Sequence, residues 1–154
     1  MNEIATKELI VEARDAFGEW ISIPAWQWFV SLTFAKGNIS KWEADQHWQA
    51  WLNSLVLTCK ARGEPRPFYF RVSEFQKRGT VHYHVLIGGL GEIRRLLFKD
   101  LWEPFGFARI LKYEPGKGAN YYCGKYLSKT DCEMRFSHNL KHHLTKRREL
   151  VILE

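Results

Sequence analysis

The stretch Val81-His82-Tyr83-His84-Val85-Leu86-Ile87 decides the fold, because its side chains alternate with a period of two. The two histidines and Leu86 fall on one face, and the remaining residues form an apolar second face. Such alternation, bounded by glycines, is typical of a β-strand that packs its apolar side on a core. The two imidazoles then lie side by side, and neutral imidazole is a common metal ligand. Taken alone, the pair is also typical of half-exposed histidines on a solvated sheet.

Composition limits the class of protein. The chain has 154 residues, of which 45% are hydrophobic, and this length favours one domain with its own core. A net charge of +6 favours an anionic partner, either nucleic acid or an anionic membrane surface. No apolar run is long enough to span a membrane, and the first residues do not resemble a secretory signal. Three cysteines, an odd number, favour a reducing compartment, so we expect a cytoplasmic protein.

The rest of the chain divides into alternating predicted helices and strands. Ser40 and Glu43 form a capping box, which predicts the start of a long helix that ends near Gly63. A second predicted helix directs Ile93, Leu96, Leu97 and Leu101 inward. Beside the histidine strand, the pattern predicts helices over 5–20, 40–62, 91–102 and 119–129, and strands over 28–34, 68–74 and 107–113.

This order predicts an α+β fold of the ferredoxin-like, split βαβ kind. Its antiparallel sheet would have four to five strands, with helices on both faces. The strand over 68–74 would be the antiparallel neighbour of the histidine strand, since a short basic turn joins them. We expect a single domain over 1–154 with a core over about 26–130. The basic tail over 131–154 has no readable pattern.

The last predicted helix carries a second group of chemically active side chains. Tyr122 and Tyr126 are four residues apart and Lys125 is three residues after Tyr122, so the three share one helical face. Phenol and amine groups together can serve nucleophilic catalysis. The alternative is that the tyrosines belong to an ordinary buried stripe, which aromatic residues at this spacing usually form.

Three motifs in this order resemble those of the HUH endonucleases, the initiators of rolling-circle replication in phages, plasmids and small circular DNA viruses. The strand ending in Ser31-Leu32-Thr33-Phe34 is similar to the first motif. Gly79-Thr80-Val81-His82-Tyr83-His84 is similar to the second, and Tyr122-Cys123-Gly124-Lys125-Tyr126 to the third. The pair of tyrosines resembles the phage-type initiators. The resemblance spans roughly residues 28–129.

The resemblance implies a divalent metal site for Mg²⁺ or Mn²⁺ on His82 and His84. Glu74 is the candidate third ligand, because the family often places an acidic or histidine ligand on the neighbouring strand. Glu74 shares its parity with the apolar residues Phe70 and Val72. If that apolar face packs on the helices, a β-bulge near Glu74 is expected.

The resemblance also implies the reaction. Tyr122 would attack a DNA phosphodiester, giving a 5′-phosphotyrosine and a free 3′-hydroxyl, and reversal would rejoin strands. Lys125 would hold the phosphate or steady the phenolate, and Tyr126 would be a second nucleophile or a packing residue. The implied partner is a single-stranded replication origin, with a hairpin as one form. No helicase region is present, so a host helicase serves or the chain is part of a longer protein.

Six basic residues are candidate DNA contacts, because binding of phosphates requires only suitably placed positive charge. An ordinary solvated basic surface is the alternative interpretation. These residues are Lys77, Arg78, Arg94, Arg95, Lys117 and Lys129.

Two other functions remain open. One is a single-tyrosine transposase of insertion sequences, which shares the fold and the two histidines, although the ending Lys125-Tyr126 favours an initiator. The other is a non-catalytic nucleic-acid-binding domain with a similar sheet, in which aromatic side chains stack on bases.

Overall fold

The computed structural model describes residues 3–75, 79–128 and 131–144. Its helices and strands follow the predicted order, with one further strand near the end. In chain order they are α1 (Glu3–Ile21), β1 (Trp26–Thr33), α2 (Lys41–Ala61), β2 (Phe68–Phe75), β3 (Val81–Gly88), α3 (Arg95–Trp102), β4 (Ala108–Lys112), α4 (Ala119–Gly124) and β5 (Cys132–Phe136). Two 3₁₀ helices, Lys125–Ser128 and His138–His143, follow α4 and β5 respectively.

The five strands form one antiparallel sheet in the order β4-β1-β3-β2-β5. The first four strands have the order expected of a split βαβ arrangement. The predicted α+β fold is therefore confirmed. β5 adds an edge strand beside β2 and lies in the tail for which no pattern predicted an element.

Both faces of the sheet are covered, each by its own hydrophobic cluster. Val30, Tyr83 and Val85 pack on the side that we call the α2 face, together with Trp48 and other residues of α2 and α3. The opposite side, which we call the α4 face, is covered by α1 and by the segment that begins with α4. Its cluster is formed by residues such as Phe70, Val72, Leu86, Ile21 and Tyr126.

The start of α2 follows the predicted chemistry. Ser40 is the N-cap, and its hydroxyl accepts a hydrogen bond of 3.0 Å from the backbone N–H of Glu43. This bond satisfies one of the donors that the first turn of a helix leaves free. The predicted buried stripe is confirmed, with Trp48, Trp51 and Leu55 in the core.

The predicted inward face of α3 is wrong. Leu96, Leu97 and Leu101 are 53%, 50% and 42% exposed, whereas Phe98 and Trp102 are fully buried. The two aromatic rings bury more apolar area than the leucines would, and so they take the core positions. The Trp102 indole also donates a hydrogen bond of 3.0 Å to the Thr33 carbonyl, which fixes the rotation of the helix against β1.

The last predicted helix is also shorter than expected. The α-helical part ends at Gly124, and the chain tightens to a 3₁₀ turn from Lys125. Glycine is a poor helix former and 3₁₀ turns are frequent at helix ends. Tyr122 and Tyr126 thus belong to two different kinds of helix, although they stay close in space.

Candidate metal and tyrosine site

The pairing of β2 with β3 brings three candidate ligands together on the α4 face. Glu74 lies directly opposite His82, and His84 follows two residues later on the same face of β3. One donor atom from each of the three side chains lies within 4.8 Å of the others. Two imidazole nitrogens and one carboxylate oxygen are a mixed donor set that suits Mn²⁺ and accommodates Mg²⁺. The donor set therefore fits a divalent ion.

The bulge expected near Glu74 is wrong. The register of β2 with β3 runs without interruption from Phe68 to Phe75. The expectation assumed that the apolar residues of β2 must face α2, but Phe70 and Val72 pack in the second cluster on the α4 face. Glu74 shares that face without any irregularity, because both sides of the sheet are buried.

A serine that the sequence did not single out as a site residue orients the second histidine. Ser31 of β1 is the cross-strand partner of His84, and its Oγ lies 3.3 Å from His84 Nδ1. The other ring nitrogen, Nε2, lies 3.8 Å from Glu74 Oε2. Metal-bound histidines usually hydrogen-bond through the nitrogen that does not bind the metal. Ser31 thus turns Nε2 toward Glu74 and His82.

Both tyrosines contact His84. The Tyr122 ring lies 5.3 Å from the His84 ring, edge to face, and the Tyr126 ring is stacked on it at 5.6 Å. Tyr122 is half-buried, whereas Tyr126 is only 2% exposed. The predicted tyrosine pair and the predicted metal ligands therefore share one site, and Tyr122 is its more accessible hydroxyl.

The two hydroxyl groups are linked. The Tyr126 hydroxyl donates a hydrogen bond of 3.1 Å to the Tyr122 hydroxyl. Burial raises the pKa of Tyr126 well above its ordinary value, and hydrogen bonds with Tyr122 and Glu74 raise it further. Tyr126 consequently keeps its proton and acts as a donor toward Tyr122.

Lys125 lies against both rings. Its Nζ is 3.7 Å from the centre of the Tyr122 ring and 5.0 Å from the centre of the Tyr126 ring. A cation over an aromatic face is attracted by the ring quadrupole. The ammonium is thereby held beside the tyrosines, as the Tyr-x-x-Lys spacing predicted.

The predicted DNA contacts lie in different parts of the surface. Lys117 lines a cleft beside Tyr122. Arg94 and Arg95 line another cleft near Trp26, whose β3 partner Gly88 is six residues from His82, or about 20 Å along the strand. Arg95 also donates a hydrogen bond of 3.0 Å to the Ile110 carbonyl of edge strand β4.

The other three predicted contacts, Lys77, Arg78 and Lys129, lie outside the described residues. Arg109 is a basic residue that the sequence analysis did not select. It is the β4 partner of Ser31, and so it shares a cross-strand row with His84, and its side chain is exposed. Only the strand register reveals this proximity.

None of the helices in the described ranges combines the length and apolar character that crossing a bilayer requires.

A sequence model of a family of replication-associated proteins, the ORF2 type, matches residues 27–131. No curated protein and no solved structure is significantly similar to the chain. The match spans well over half of the sequence and includes the histidine strand, Glu74 and both tyrosines. It confirms the resemblance to replication initiators. The chain therefore belongs to the ORF2-type family of replication-associated proteins.

Proposed function

We propose that this protein nicks and rejoins single-stranded DNA through a 5′-phosphotyrosine intermediate, and that it thereby initiates rolling-circle replication of a phage, virus or plasmid. The observation that carries the proposal is the contact of Tyr122 with His84, within a site that also holds Glu74 and His82. A nucleophile and a potential phosphate-activating centre are thus adjacent. Membership of a replication-associated family supports the choice of DNA as the substrate.

His82, His84 and Glu74 would hold the divalent ion, Mg²⁺ or Mn²⁺. When bound, the ion supplies positive charge that polarises a non-bridging phosphate oxygen. The role of Ser31 is to keep Nε2 of His84 facing the other two ligands. This arrangement costs little rearrangement, since all three ligands stand on two paired, rigid strands.

Tyr122 is the proposed nucleophile. Its oxygen forms a bond to phosphorus, the bond from phosphorus to the 3′-oxygen breaks, and that oxygen leaves as a 3′-hydroxyl after taking up a proton. The Tyr126 hydroxyl points its proton at Tyr122, so it stabilises negative charge that develops on the attacking oxygen. Lys125 adds a positive charge beside the ring. Tyr126 therefore assists Tyr122, in preference to the role of second nucleophile.

The test is a covalent-adduct assay with mixed-sequence single-stranded oligonucleotides and Mn²⁺, read on a denaturing gel. A dye on the 3′ end should remain with the protein, because the 5′ phosphate is the point of attachment. The same oligonucleotides labelled on the 5′ end should release the dye with the free 3′-hydroxyl fragment. Excess EDTA should abolish the adduct, as should replacement of both His82 and His84 by Ala.

Tyr122→Phe should form no adduct. Tyr69→Phe is the matched control, since Tyr69 packs against Trp48 on the opposite face of the sheet. Retention of dye from the 5′ label alone would contradict the proposed polarity. Absence of any adduct, together with tight DNA binding, would favour a non-catalytic nucleic-acid-binding domain.

A further inference from the structure

A cleft of about 330 Å³ opens on the α4 face between β4 and α4. Its apolar lining comes from Phe29, Leu111, Tyr113 and Tyr122, three of which are aromatic. Phe29 and Leu111 are cross-strand partners on β1 and β4, and they form its floor. This volume lies at the lower end of the range for small-molecule sites, so the cleft suits a single ring system.

Tyr122 joins this cleft to the metal site. Its ring lies 5.8 Å from Phe29 on the cleft side and 5.3 Å from His84 on the metal side. Phe29 is also two residues from Ser31, the partner of His84, which separates the two rows by about 7 Å. A group in the cleft is therefore a neighbour of any phosphate that Tyr122 attacks.

The chemistry of the cleft favours a nucleobase over a phosphate. Aromatic rings stack on bases of any sequence, because every base has a π-face. The carboxylate of Glu114 is part of the lining and repels an anion. Lys112 and Lys117, both exposed, also border the cleft, where they can meet the phosphates on either side of an inserted base.

We propose that this cleft holds one unpaired nucleobase next to the phosphate that Tyr122 attacks. The inference rests on the proposed function, and it names the form of the substrate: a single strand with a base turned out of its stack. A paired base cannot enter, because its edge and faces are occupied by the duplex. Positioning the base fixes the adjacent phosphate relative to Tyr122 and the metal ligands.

Photocrosslinking tests this placement without any cleavage. Mixed-sequence single-stranded oligonucleotides containing 5-iododeoxyuridine are irradiated with the full chain in EDTA, and the crosslinked peptides are identified by mass spectrometry. Crosslinks should map to Phe29, Tyr113 or Tyr122. Crosslinks confined to exposed aromatic residues elsewhere, such as Trp42 or Phe107, would overturn the inference. Because metal and catalysis are absent, the result does not depend on whether the protein nicks DNA.

A cleft-filling variant gives a second, independent readout. Leu111→Trp should weaken binding of the same oligonucleotides about ten-fold in fluorescence anisotropy, because it displaces one stacked base. Leu57→Trp is the matched control, since Leu57 is also exposed but lies on α2, and its affinity should equal that of the wild type. Equal affinities for the two variants, with both melting like the wild type, would contradict the proposal.

Discussion

Replacement of Ser31 by Ala should weaken binding of Mn²⁺ while leaving the fold intact. The change removes one oxygen atom, the one that lies 3.3 Å from His84 Nδ1. Without it the His84 ring can rotate or adopt the other tautomer, and Nε2 then faces Glu74 for only part of the time. Ser31 is half-buried within the sheet, so the loss of its hydroxyl leaves no large cavity.

The expected magnitude follows from the geometry. A typical intramolecular hydrogen bond contributes about 0.5–1.5 kcal/mol net, which corresponds to about a 2- to 13-fold change in a dissociation constant. The separation of 3.3 Å is slightly longer than the usual range for such bonds, which favours a moderate effect. We therefore expect Mn²⁺ to bind about three- to ten-fold more weakly, as loss of a partner behind a metal ligand commonly produces.

Isothermal titration calorimetry with Mn²⁺ measures this change, and nitrogen-15 NMR of the histidine rings in the metal-free protein reports the tautomer of His84. Ser31→Thr keeps a hydroxyl and should restore much of the affinity. Ser54→Ala is the matched control, because Ser54 hydrogen-bonds only within α2. An unchanged affinity and an unchanged His84 tautomer in Ser31→Ala would refute the orienting role of Ser31.

Three further predictions concern the tyrosines and the buried charge on the α2 face. Tyr126→Phe should still form the covalent adduct, but about ten-fold or more slowly in single-turnover kinetics, because a hydrogen bond to the charge developing on Tyr122 is lost. Asp45→Asn should lower the free energy of unfolding by about 3 kcal/mol in chemical denaturation, because Arg71 is 1% exposed and loses its carboxylate partner. Burial raises the pKa of Tyr83 above its ordinary value of 10.0, so its contribution to stability is complete below pH 10 and is lost as the pH rises further. Tyr83→Phe should therefore flatten the alkaline fall in unfolding free energy.

Each of these predictions has a control or a contradicting result. A Tyr126→Phe adduct rate equal to that of the wild type would show that the two hydroxyls act independently. Asp100→Asn changes an exposed carboxylate of α3 and should leave the unfolding free energy within about 0.5 kcal/mol of the wild type. If Tyr83→Phe loses stability above pH 10 as steeply as the wild type, another group is responsible for the alkaline loss.

Local patterns were sufficient for the main elements and for part of the site. The alternation around His82 and His84 predicted a strand with both imidazoles on one face, and the structure has that strand. The start of α2 followed from Ser40 and its hydrogen bond to Glu43, which is a contact within four residues. These predictions depended only on neighbours in the sequence, where backbone periodicity and capping act.

The errors arose where the outcome depended on distant residues. The bulge at Glu74 was expected because one sheet face was assumed to be solvated, and the second cluster could not be read from β2 alone. Ser31 and Arg109 became neighbours of His84 through the pairing of three strands that are far apart in sequence.

Strand β5 was missed because five half-exposed residues give a weak pattern. Arg95 resembled a DNA contact, but it hydrogen-bonds the backbone of edge strand β4. Sequence alone does not distinguish these two uses of an arginine.

The attachment site of the DNA on the protein tests the central claim most directly. The adduct formed with Mn²⁺ is digested with protease and nuclease, and the peptide that carries the remaining nucleotide is sequenced by mass spectrometry. The account predicts that the nucleotide is joined through its 5′ phosphate to the oxygen of Tyr122. Attachment to Tyr126, with Tyr122→Phe as active as the wild type, would contradict it.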